Sequence, residues 1–139
     1  MKVTVGQVAT AYTTLSKIAT TSLELDEVID LIENRSAMRD TYNAYKAHHE
    51  DAMETCKPAD FDQLVEIAQK GNDATEEEKI RLYQGDIEYQ NKVDAACKEF
   101  YNKEIEIEIK PMSNKTFAKF VHDNKWTPEV LDKIEFLKG

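Results

Sequence analysis

Glycine is scarce in this chain: there are four, Gly6, Gly71, Gly85 and Gly139, each isolated. A dinucleotide or phosphate loop needs clustered glycines so that the backbone can approach the phosphates, and no such cluster is encoded. Cysteine is nearly as rare. Cys56 and Cys97 lie far apart with no spaced His or further Cys to complete a zinc site, so the expectation is free thiols in a reducing, cytoplasmic compartment. Long apolar runs are missing too. The longest uncharged stretch, VTVGQVATAYTTLS, is broken by Thr, Gln and Ser and follows no cleavable signal pattern, so neither a membrane span nor export is expected.

Basic charge is the remaining deficit. With 27 acidic against 18 basic residues the net charge is −9, a field that repels a phosphate backbone at long range. Pairings such as Arg35 with Arg39 are too sparse to override it, and no direct nucleic-acid contact is expected. What is present is ordinary globular material: 41% hydrophobic and 32% charged residues over 139 positions. That balance suits one domain spanning 1–139, able to bury a core without disulfide or metal staples.

Hydrophobic spacing divides the chain. MKVTV alternates Val3 and Val5 against Lys2 and Thr4 and predicts a short strand. From Gln7 the spacing becomes helical, with Val8, Ala11, Tyr12, Leu15, Ile18 and Ala19 on one stripe ending near Thr20. A long helix is expected next, its packing face formed by Leu25, Val28, Ile29, Ile32, Met38, Tyr42, Tyr45, His49, Met53 and Cys56. Asn34 is the point at which it would divide, acting as a cap. Asp60 with Gln63, and Thr75 with Glu78, have the spacing of capping boxes and open two further helices, the first closing at Gly71. The second runs through Ile80, Tyr83, Ile87, Val93, Ala96, Cys97, Phe100 and Tyr101, with Gly85 inside it.

At Lys103 the period changes from 3.6 to 2. EIEIEIK places Ile105, Ile107 and Ile109 on one face and Glu104, Glu106 and Glu108 on the other, and Pro111 stops it. Two short helices follow, one from Ser113 carrying Phe117, Phe120 and Val121, the other from Thr127-Pro128. The expected fold is therefore α+β and predominantly helical. A long antiparallel helical hairpin and extra short helices surround a two-stranded sheet pairing residues 1–5 with 104–110.

Catalytic patterns are not found. His48 and His49 are adjacent on a helix and diverge by about 100°, so they cannot face one ion together. No Glu stands three residues before any His, which excludes the di-iron bundle pattern. There is no Gly-x-Ser-x-Gly elbow. No catalytic, cofactor-binding or metal-binding residue is assigned, and the chain is expected not to be an enzyme. The tyrosines Tyr42, Tyr45, Tyr83, Tyr89 and Tyr101 are expected to pack on the helical stripes.

EIEIEIKP followed by FAKFVHDNKWTPEVLDKIEFL resembles a family of small phage and prophage proteins, a domain of unknown function. The likeness covers residues 1–50 and 80–139. It implies a phage-type context in a bacterial host cell and carries over no site. Two roles are compatible with it, both resting on a protein partner, with a homo-oligomer also compatible. One is an accessory of virion or tail assembly, whose partner is a phage structural protein. The other is an anti-defence inhibitor of anti-CRISPR or nuclease-inhibitor type, which binds a host defence effector through its acidic surface. The residues proposed to meet that partner are Glu104, Glu106 and Glu108 on the strand and Glu76, Glu77 and Glu78 at the helix start.

Overall fold

Thr4 decides where the first strand stops. Its hydroxyl accepts from the Gln7 N–H (3.1 Å) while the Gln7 side chain accepts from the Thr4 N–H (2.8 Å), a reciprocal box that starts a helix at Val5. The computed structural model describes residues 1–139 and has the element order β1 (Lys2–Thr4), α1 (Val5–Leu15), α2 (Leu25–Thr55), α3 (Phe61–Lys70), α4 (Glu76–Tyr101), β2 (Glu104–Glu106), α5 (Asn114–Asn124) and α6 (Pro128–Asp132). Short 3-10 turns lie at Gly71–Asp73 and Glu135–Lys138. The expected predominantly helical α+β fold with a small antiparallel sheet is what forms.

β1 and β2 pair antiparallel with Val3 opposite Ile105, Lys2 opposite Glu106 and Thr4 opposite Glu104. The ladder is shorter than 1–5 with 104–110. The capping box takes Val5 into α1, and the Ile107 N–H, donating to the Met1 carbonyl at 3.0 Å, is the last link on the other side. Beyond it Lys110 turns its backbone to α2 instead.

Contacts fall into two compact units, one of residues 1–46 with 100–139, the other of residues 47–99. In the first, Val3, Val8, Ala11, Leu15, Leu31, Met38, Ile107, Met112, Phe117, Phe120, Ile134 and Leu137 form the core. Each large aliphatic or aromatic side chain buried there contributes roughly 1.5–3 kcal/mol. Tyr12 stacks on Tyr42 at 4.5 Å, and the Tyr101 ring lies against Tyr45 at 6.0 Å. The same Tyr101 ring covers Gly6 so closely that a methyl group there would stand 2.3 Å from it. In the second unit, Ala52, Val93 and Cys97 are packed with Cys56 and Tyr89, and the Tyr89 hydroxyl donates to the Met53 carbonyl (2.6 Å). Tyr101 thus meets Tyr45 while Tyr89 meets Met53, the reversed order of a hairpin between α2 and α4.

Several expected details change. α1 ends at Leu15, not near Thr20, because the Ala19 and Ser22 N–H groups are taken by Asn124 and Asp123 of the α5 end (2.7 and 2.8 Å). Asp60 makes no capping bond, since Arg81 draws both Asp60 (2.9 Å) and Gln63 (2.6 Å) to itself. Gly71 does close α3, with φ 56°. Thr75 and Glu78 form their box in both directions (3.0 and 3.1 Å).

α2 runs unbroken for 31 residues. Asn34 caps nothing. It is 1% exposed, and its side-chain amide donates to the Lys110 carbonyl (2.9 Å) and accepts from the Lys110 N–H (2.7 Å). A primary amide presents one donor and one acceptor side by side, the same pattern as a neighbouring strand's peptide. Replacing Asn34 by Ala takes the partner from both part-buried Lys110 groups, each loss costing about 1–3 kcal/mol. Urea unfolding of Asn34→Ala should show a loss of about 2–4 kcal/mol, whereas a loss below about 0.5 kcal/mol, the range of ordinary surface changes, would contradict this account.

Candidate functional site

Leu31, Asn34 and Met38 are the buried residues on the first turns of α2, with Glu27 half-buried on the same side. At about 100° per residue, the aliphatic positions Leu25, Ile29 and Ile32 lie roughly 140–180° from Asn34. They are accordingly 77%, 46% and 56% exposed. This corrects part of the expected packing face: Val28, Met38, Tyr42, Tyr45, His49 and Cys56 are buried or half-buried as expected, while Leu25, Ile29, Ile32 and Met53 face outward and Asn34 and Glu27 turn inward. Periodicity alone favoured the aliphatic row, because only the tertiary partners of Glu27 and Asn34 make their burial favourable.

Those partners are specific. Glu27 accepts the Glu24 N–H (3.0 Å), the Thr116 hydroxyl and the Lys119 ammonium. Together, with the Glu24 N–H foremost, they bring its carboxyl down to about 2. The same contact with Glu27 pushes Lys119 up. On α5, the Ser113 hydroxyl caps Thr116 (3.2 Å), and Phe117 and Phe120 are buried as their spacing implied.

A second exposed row lies on α4. Ile80, Tyr83 and Ile87 are 56%, 69% and 40% exposed, and Ala96 is exposed too. This again departs from the expected packing stripe. Val93 and Cys97 are buried, and the half-buried Leu82, Gly85 and Tyr89 share their side. Leu64 of α3 lies on Gly85, 2.8 Å from where a methyl would stand, so α3 selects the glycine side of α4 and leaves the isoleucines outside.

The six acidic residues singled out from the sequence fall into two groups. Glu104, Glu106 and Glu108 are all exposed, while Ile105, Ile107 and Ile109 are half-buried or buried; the alternation persists beyond the paired strand. Glu106 also holds the N-terminal ammonium at 3.2 Å. Glu76 and Glu77 are exposed on the first turn of α4, in the other unit. Glu78 is committed to structure: it closes the Thr75 box and binds Lys70, and the Lys70 contact foremost lowers its carboxyl's pKa.

No three His, Cys, Asp or Glu side chains converge into a set able to hold a metal ion. No helix is long and apolar enough to cross a membrane. Compared with protein-family models, curated proteins and solved structures, the chain gives no match. The exposed faces are, in the first unit, the α2 row and the glutamate face of β2 and its extension and, in the second unit, the α4 row.

Glu27 gives the α2 row a pH-dependent support. A carboxyl held below its ordinary 4.5 in the folded chain contributes stability above that pH, and the contribution is lost as pH falls from 4.5 toward about 2. Glu27→Gln should unfold at a lower temperature than the parent at pH 7, with the gap narrowing as pH falls through that window. A gap independent of pH between 7 and 2.5 would show that the charge plays no part.

Proposed function

We propose that the chain is a non-enzymatic protein of phage or prophage type that binds another protein, as an accessory of virion or tail assembly. The observation that carries the binding role is the exposed row Leu25, Ile29 and Ile32 on α2. The opposite side of that helix supplies the core, so folding gains little from three large aliphatic side chains facing water. Burying each one against a partner is worth roughly 1–2 kcal/mol, enough in combination for a specific contact. The phage context comes from the resemblance of EIEIEIKP and the tail that follows it.

Co-purification with phage head and tail proteins tests this reading. Ile29→Glu with Ile32→Glu should weaken capture of the virion partner by about tenfold or more, with the circular dichroism spectrum unchanged because both residues lie outside the core. Undiminished capture, or a chain that engages no virion protein, overturns the assembly role.

The exposed Glu104, Glu106 and Glu108 favour a second reading, inhibition of a bacterial nuclease or immune effector by an acidic face. Reversing all three to lysine should abolish inhibition while helical content stays intact. Full inhibition by that variant removes acidic mimicry.

A further inference from the structure

The α4 row is self-complementary. Ile80, Tyr83 and Ile87 occupy one exposed stripe, and beside it an open, mainly apolar hollow is lined by Gln84, Ile87, Glu88, Asn91, Lys92 and Ala95. Glu77, Arg81, Glu88 and Lys92 follow at spacings of four, seven and four residues, so they share one flank of that stripe. All four are exposed.

We propose that this face packs antiparallel against the same face of a second copy of the chain. A two-fold contact matches a patch to itself, with each residue opposing its counterpart in reversed order on the same flank. With the axis between Gln84 and Gly85, Glu77 stands opposite the second copy's Lys92 and Arg81 opposite the second copy's Glu88. Each pair occurs twice. All four cross-contacts join opposite charges. In the same register Ile80 lies within about 3 Å along the axis of the second copy's Ile87.

Forming the pair asks little of the folded chain. Glu88 and Lys92 now bind each other across one turn at 3.3 Å, with both side chains more than half exposed, and such an exposed pair contributes little and is readily exchanged. Arg81 already reaches Asp60 and Gln63, and the remaining donors of its guanidinium are available to a carboxylate. The α4 row belongs to residues 47–99 and the α2 row to the other unit, so the two proposals stand or fall separately.

Sedimentation equilibrium of the full chain, from about 5 to about 500 µM, tests the pairing over a range suited to a patch smaller than the ~800 Å² per partner of a standard interface. The mass should rise with concentration from 16.0 kDa toward twice that value. Ile80→Glu with Ile87→Glu should remain monomeric throughout, its fold verified by circular dichroism. Glu77→Lys should weaken pairing by about tenfold, and Glu77→Lys with Lys92→Glu should recover most of that loss. A parent chain that stays monomeric, an isoleucine variant that pairs undiminished, a double charge variant without recovery, or assembly beyond a dimer each overturns the proposal.

Discussion

One side-chain amide ties the β2 extension to the long helix. Asn34, itself buried, gives and takes a hydrogen bond with the backbone of Lys110, a residue 76 positions away. Unpaired, those four polar groups would cost several kcal/mol, a large share of the net stability of a domain this size. The pairing fixes the rotation of α2. Once Asn34 points inward, Leu31 and Met38 go with it into the core and Leu25, Ile29 and Ile32 face out.

The same rotation brings Glu27 to Thr116 and Lys119, so α2 is joined to α5 by a charged cluster with little exposure. At the far end of α5, Asp123 and Asn124 bind the chain between α1 and α2 through four hydrogen bonds, three of them to its backbone. Polar side chains thus determine how the elements of this unit dock, and the hydrophobic core fills the space they define. Backbone and side-chain geometry make that docking selective: an amide matches a peptide, and a carboxylate matches a hydroxyl and an ammonium. A row of aliphatics has no such directional preference, which is why two rows can be left at the surface for other contacts.

Local chemistry was legible where its partners lie within a few residues. The Thr75–Glu78 box, the Gly71 terminus, the Ser113 cap and the inward Phe117 and Phe120 all form as their spacing implied. The isoleucine and glutamate faces of EIEIEI are also as the alternation required, although the strand itself covers only Glu104–Glu106. Illegible were the places where a distant residue competes for a local bond. Arg81 draws Asp60 out of a cap, Asn124 and Asp123 take the backbone that would have prolonged α1, and Leu64 recruits the glycine side of α4. The acidic candidates divide the same way: Glu104, Glu106, Glu108, Glu76 and Glu77 remain at the surface, and Glu78 is drawn into the capping box.

By itself the sequence determined the kinds and sequence order of the elements, the strand that pairs with the N-terminus, and the lack of any recognisable catalytic pattern, because periodicity, caps and turns act over a few residues. Which apolar side chains of each long helix are buried and which are left outside was decided only by tertiary structure. Burial is a competition between the transfer of aliphatic groups, which any contact surface can satisfy, and the pairing of polar groups, which needs one particular partner. For α2 that partner is the backbone of Lys110, and the exposed row follows from it.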